Sequence, residues 1–180
     1  MKRGIPVLVF LLVLAAFAVL YFTGNLPWQE KPEDATLEGP CAYTWASQAL
    51  PELSQTLQQR LEQQEILATQ VRAAAYGENC VLADGTVAHF LIRQTDLYFQ
   101  VPVAEIEDRQ TQGEIAVQII HFVDDIPAGT LVGPQEGYIQ INYTTSAGQM
   151  QSLWFSVSEG RAAVESGLQG AELFAELAGS

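Results

Sequence analysis

From Ile5 to Phe22 the chain reads IPVLVFLLVLAAFAVLYF, eighteen residues without a charge, and this run decides where everything after it can fold. A helix needs about 20 apolar residues to cross the ~30 Å hydrocarbon core of a bilayer, so the run is read as one transmembrane helix. Lys2 and Arg3 precede it, while Glu30, Glu33 and Asp34 outnumber Lys31 on the far flank. That polarity keeps residues 1–4 in the cytoplasm and places the remainder outside. Ala16-Phe17-Ala18 has the small-x-small form of a signal-peptidase site, and cleavage there would yield a secreted protein. A cleavable signal turns polar before its cut, whereas Val19 to Phe22 stays apolar, so a retained single-pass anchor in the cell membrane is preferred. Residues 23–40 hold three prolines, two glycines and no apolar period, the composition of a flexible linker. Residues 41–180 are then one extracytoplasmic domain, long enough for a core of its own.

Export fixes the meaning of the two cysteines. Cys41 and Cys80 lie in an oxidising compartment on this reading, and an even pair there is read as a disulfide. Loop-closure entropy gives a bridge of this span about 4 kcal/mol at most. Charge excludes one class of partner. All 21 acidic residues follow Phe22, so the domain is more acidic than the chain's net charge of −13. Its basic residues are Lys31 in the linker and five scattered arginines, which offer nucleic acid no basic patch.

Periodicity sets the elements. Ser47 is placed to cap a helix with Pro51 in its first turn, and Leu50, Leu53, Leu57 and Leu61 share one face of it. Alternation from Leu67 to Ala75 predicts a half-buried strand ending at Gly77-Glu78-Asn79. Asp84-Gly85 is a hairpin signal, and a single alternating phase runs from Val87 to Val103, with a bend or bulge expected near Gln94 to Asp96 and a strand end or an edge position at Pro102. Thr111-Gln112-Gly113-Glu114 has the form of a capping box, followed by Ile115, Ile119, Phe122 and Val123 at helical spacing up to Pro127 and Gly129. Tyr138–Thr145 and Gln151–Val157 form a hairpin that points Ile139, Ile141, Tyr143, Leu153, Phe155 and Val157 inward. Glycines 167 and 170 divide the tail into two short helices. The order predicts an α+β domain: an antiparallel sheet of four to five strands with helices mainly on one face. Tyr76, Phe90, Ile92, Tyr98 and Trp154 would then lie on the opposite face, which would need a partner.

No catalytic set is found. His89 and His121 are the only histidines and neither sits in a nucleophile–base motif. No metal-binding or phosphate-cradling spacing and no cofactor signature occurs. The sequence therefore points to a non-catalytic module that meets another exported or envelope protein, with Tyr98 and Trp154 as its candidate surface. The alternative is a small-ligand or hydrolytic domain. Its pocket would be lined by Tyr43, Trp45 and Tyr76, with His89 and an acid such as Asp96 or Glu78 at the mouth.

Overall fold

Leu57 and Leu61, one helical turn apart, are fully buried, and what buries them is the inner face of a twisted sheet. The computed structural model describes residues 40–179. In chain order these form β1 (Ala42–Ala49), α1 (Pro51–Gln63), β2 (Gln70–Val81), β3 (Val87–Pro102), α2 (Arg109–Asp124), β4 (Tyr138–Thr144), β5 (Met150–Ser156), α3 (Val157–Glu165) and α4 (Gly170–Ala178). The strands make one curled sheet in the order β1-β2-β3-β4-β5. The expected membrane span at 5–22 and the linker over 23–39 lie outside the described residues. Among the described residues, no helix is long and apolar enough to cross a membrane.

The sheet is mixed, which corrects the antiparallel expectation. β3 and β4 run parallel, Leu97 facing Ile139 and Val101 facing Tyr143, while the other three pairings are antiparallel. The reason is α2. It carries the chain back along β3, so that β4 starts beside Leu97 and runs the same way, whereas α1 leaves β2 to start beside the end of β1 and those two strands run antiparallel.

One core joins the helices to the sheet's inner face. Val71 and Ala73 of β2, Leu97, Phe99 and Val101 of β3, Ile139, Ile141 and Tyr143 of β4, and Leu153 and Phe155 of β5 are all buried. They meet Ile119 and Phe122 of α2 and Leu173, Phe174 and Leu177 of α4. Phe99 and Phe122 pack edge to face at 6.0 Å, and the buried Tyr143 hydroxyl donates to the Gln112 carbonyl at 2.8 Å. Gly113 lies where α2 and α4 touch: a Cβ there would fall 1.8 Å from the Gly170 carbonyl oxygen.

Both hairpins have the same construction. Leu82–Thr86 and Thr145–Gln149 each close a three-residue loop whose last residue, Gly85 or Gly148, has positive φ. The tail divides as expected. Gly167 at φ +87 ends α3, with Leu168 N–H donating to Ala163 O and Gly167 N–H to Val164 O, a Schellman closure.

Three local expectations are corrected. Ser47 caps no helix: it lies in β1, and α1 begins at Pro51 behind Leu50 without a side-chain cap. Helix α2 starts two residues before Thr111, because Asp108 is the N-cap and accepts from Thr111 N–H at 3.0 Å. The capping box of the chain is instead Ser156 with Glu159 at the start of α3, where side chain and backbone bond reciprocally. Finally, β3 does not keep a single phase. Tyr76 faces Gln94 but Gly77 faces Ile92, so Arg93 is an extra residue in the ladder, and beyond it the even positions Phe90 and Ile92 turn to the inner side. The bulge falls one residue before the expected bend.

Candidate functional site

All four described helices pack on the inner face, and the outer face of the sheet carries its own ordered set of side chains. Alternation along each strand and the register across the strands place them in rows. Arg72, Tyr98, Gln140 and Trp154 form one row across β2, β3, β4 and β5. Gln70, Gln100, Asn142 and Ser152 form the row on one side of it, and Ala74 and Asp96 begin the row on the other.

The aromatic row is tied together by ring contacts. The Arg72 guanidinium sits 4.4 Å from the centre of the Tyr98 ring, Tyr98 meets Trp154 at 6.1 Å, and Trp154 stacks on Tyr138 at 5.4 Å. Trp154 remains 45% exposed. Burial, helped by the nearby Asp96 carboxylate, pushes the Tyr98 hydroxyl above its ordinary pKa, with Arg72 opposing. The polar members satisfy one another. Asp96 is buried and its Oδ1 accepts from Gln94 Nε2 at 2.8 Å and from the Tyr138 backbone N–H at 3.0 Å. Asn142 Oδ1 accepts from Gln140 Nε2 at 2.9 Å and from Ser152 Oγ at 2.6 Å. Gln94, Asp96 and the Tyr138 backbone thus form one hydrogen-bonded group beside the rings, and Gln140, Asn142 and Ser152 a second.

Next to this platform, the same face continues onto β1 and the outer halves of β2 and β3. Cys41 and Cys80 form a disulfide with Cα atoms 5.1 Å apart. Trp45 stacks on Tyr76 with the ring planes nearly parallel at 5.3 Å, and Tyr43 and Trp45 are about 60% exposed (60% and 63%). The bulged Arg93 reaches Glu78 at 3.0 Å.

The structure brings Tyr43, Trp45 and Tyr76 onto one face beside the disulfide, and His89 stands opposite Cys80 in the ladder, exposed. Asp96 is not part of that group. It lies seven residues from His89 along β3, roughly 20 Å at about 3.3 Å per residue. Glu78, the other candidate acid, is engaged by Arg93. A cleft of about 330 Å³ does exist, but elsewhere, between the end of α2 and the loop leading to β4. Its charged groups are already paired, since Arg161 bonds both Asp124 (2.9 Å) and Glu136 (2.8 Å).

Tyr138 and Arg72 are the members of the platform that sequence reasoning missed. Tyr138 was visible as the first residue of a predicted strand, out of phase with Ile139 and Ile141. Arg72 had the matching phase on β2, and its signal was its position beside Val71 and Ala73. The chain matches no protein-family model, no curated protein and no solved structure.

Proposed function

We propose that this protein is a non-catalytic module, tethered to a membrane by residues 5–22, whose outer sheet face docks another exported protein. One observation carries the reading: the row Arg72, Tyr98, Trp154 with Tyr138 crosses a sheet face that no described helix covers. Arginine, tyrosine and tryptophan are the residues in which binding energy at protein interfaces concentrates, because they bury large area at small entropic cost. The contacts among the rings and the Arg72 guanidinium set their relative orientation before a partner arrives, which lowers the cost of binding. A pocket reading has less to support it, since Asp96 lies far from His89 along β3, Glu78 is engaged by Arg93, and the charged groups of the cleft neutralise one another.

The test is a photo-crosslinking amino acid placed at Trp154 in the full-length chain, produced in its own cells. The expected product is a discrete adduct with a second, different exported protein, absent when the same group replaces Glu172 on α4. Trp154→Asp should weaken that association at least tenfold, in line with the loss of a central aromatic anchor. Equal labelling from both positions, or none from position 154, would overturn the reading.

A further inference from the structure

The outer face of β1 and of the neighbouring halves of β2 and β3 carries an exposed apolar patch of its own, apart from the platform. Trp45 and Leu91 flank Glu78 in register and Tyr43 flanks Cys80, which sets these side chains on one face beside the Cys41–Cys80 disulfide. Tyr43, Trp45 and Leu91 are 60%, 63% and 42% exposed. Tyr76 belongs to the same face as the stacking partner of Trp45. The ion pair on this face, Glu78 with Arg93, is neutral as a pair, and the Glu78 side chain is only 19% exposed.

Two observations say what meets this patch. The first is the point at which the chain arrives. Residues 23–40 lead from the apolar run at 5–22 to Cys41, and the disulfide fixes Cys41 to Cys80 on the patch itself. A flexible chain of that length spans about 25 Å. Once residues 5–22 enter a bilayer, its surface is therefore presented to the patch at high effective concentration, ahead of any partner that has to diffuse there. The second observation is charge. The five strands hold two acids, Glu78 and Asp96, the first paired and the second buried. Every other acid from Cys41 onward belongs to a helix or a loop, Asp84 at the hairpin tip included. Repulsion thus holds the helical layer away from a lipid surface that carries any negative charge, and leaves the sheet face as the side that can approach. The platform is a poorer match for lipid, because Gln70, Gln100, Gln140 and Asn142 border its rings and would give up water there.

We propose that this patch seats in the headgroup layer of the bilayer that residues 5–22 cross, with Tyr43, Trp45 and Leu91 as its contacts. Tryptophan and tyrosine favour that layer because one end of each ring is apolar while the other hydrogen-bonds to water. The contact holds the domain in one orientation, which a linker alone does not do, and so presents Trp154 to its partner at a fixed height above the bilayer. The inference rests on the tether proposed above and does not depend on which protein the platform meets.

The test uses the full-length chain in phosphatidylcholine vesicles, with Trp28→Phe and Trp154→Phe so that Trp45 is the remaining tryptophan. Replacing the lipid by its analogue brominated near the top of the acyl chain is expected to lower Trp45 emission by about twofold or more, as for a ring held at the interface. A companion chain that keeps only Trp154 should be unaffected, and Leu91→Asp should abolish the Trp45 effect. Alkaline carbonate extraction separates this proposal from the reading it rests on. Release of the chain overturns the tether and the proposal together, whereas a retained chain whose Trp45 ignores the bromine overturns the proposal alone. Trp45 shielded from aqueous iodide but not quenched by the lipid would assign the patch to another protein, a second copy or residues 23–39, and also overturns it. So does equal quenching of Trp45 and Trp154, which would mean contact without a chosen face.

Discussion

The two ends of this sheet are held by different forces. In the body, where β3, β4 and β5 lie under α2, α3 and α4, the inner-facing Leu97, Phe99, Val101, Ile139, Ile141, Tyr143, Leu153 and Phe155 are buried and the ladder is backed by a continuous apolar core. In the arm, made by β1 and the outer halves of β2 and β3, seven of the eight β1 residues are exposed. There the backbone ladder, one disulfide and one aromatic stack replace the core. The division falls at Arg93. The residues just after that bulge, Gln94 to Leu97, are all buried, whereas Val87, His89 and Leu91 before it are exposed. A sheet can therefore extend past the reach of its helices, provided that something other than apolar burial fixes the extension.

The largest effect that separates the two regions belongs to the body. Phe99→Ala would open a cavity beside Phe122 in a fully buried site, and is expected to cost about 3–5 kcal/mol in urea unfolding followed by circular dichroism. A loss below about 1 kcal/mol would mean that the body is no better packed than the arm.

The arm is the place for the second prediction. Cys80→Ser removes a cross-link between positions 39 apart, worth up to about 4 kcal/mol on the loop-entropy account. The loop it closes also contains Leu57, Leu61 and Val71 of the core, so part of the loss will be global. The distinguishing measurement is hydrogen exchange. Amides of Thr44, Ala46 and Tyr76 should lose protection well before those of Phe99 and Ile141, and simultaneous loss would show that arm and body unfold as one.

Between these in mechanism stands Gly113→Ala. It forces a methyl group against the Gly170 carbonyl and should cost about 1–3 kcal/mol by separating α4 from α2, read as a lower urea midpoint with an unchanged slope. Gly85→Ala, in the hairpin of the arm, meets no neighbouring atom within 4 Å and tests only the cost of positive φ. The pair thus compares packing in one region with backbone conformation in the other.

The same contrast explains which parts of the structure were legible in the sequence. Elements that bury one face announced themselves: the leucines of α1, the inward set of β4 and β5, and the break between α3 and α4. Both hairpins followed from single glycines that supply positive φ. β1 was invisible because alternation is a signature of burying one face, and Cys41 to Ala49 buries neither. It is a strand only because β2 offers it an edge, a tertiary cause with no local trace. The direction of β4 was hidden for a different reason, since its own periodicity is the same whether it runs parallel or antiparallel to β3. The helix before it does not settle the matter either, since α1 also lies between neighbouring strands and those run antiparallel. Of the outer face, Tyr98, Trp154 and Tyr76 were readable from phase, whereas Phe90 and Ile92 were displaced by the bulge at Arg93.

A pH experiment sharpens the comparison further. Tyr143 is buried in the body, and burial pushes its hydroxyl well above the ordinary phenol value. A folded-state value above the unfolded one means that the contribution is complete below about pH 10 and is lost as the pH climbs toward the folded value. Stability of the wild-type chain should fall from about pH 10 upward. Tyr143→Phe should lose about 0.5–1.5 kcal/mol at neutral pH with the hydrogen bond to Gln112, and should show a shallower alkaline decline. An unchanged alkaline slope would assign the decline to other groups.

The smallest effect returns to the arm. Trp45 is exposed and its one ring partner among the described residues is Tyr76, so Trp45→Ala should cost only the cross-strand stacking contribution, about 0.2–1 kcal/mol. That is the measure of what an aromatic on this edge contributes to folding, several times below what Phe99 contributes in the core. A loss above about 2 kcal/mol would mean that Trp45 is packed as a core residue is.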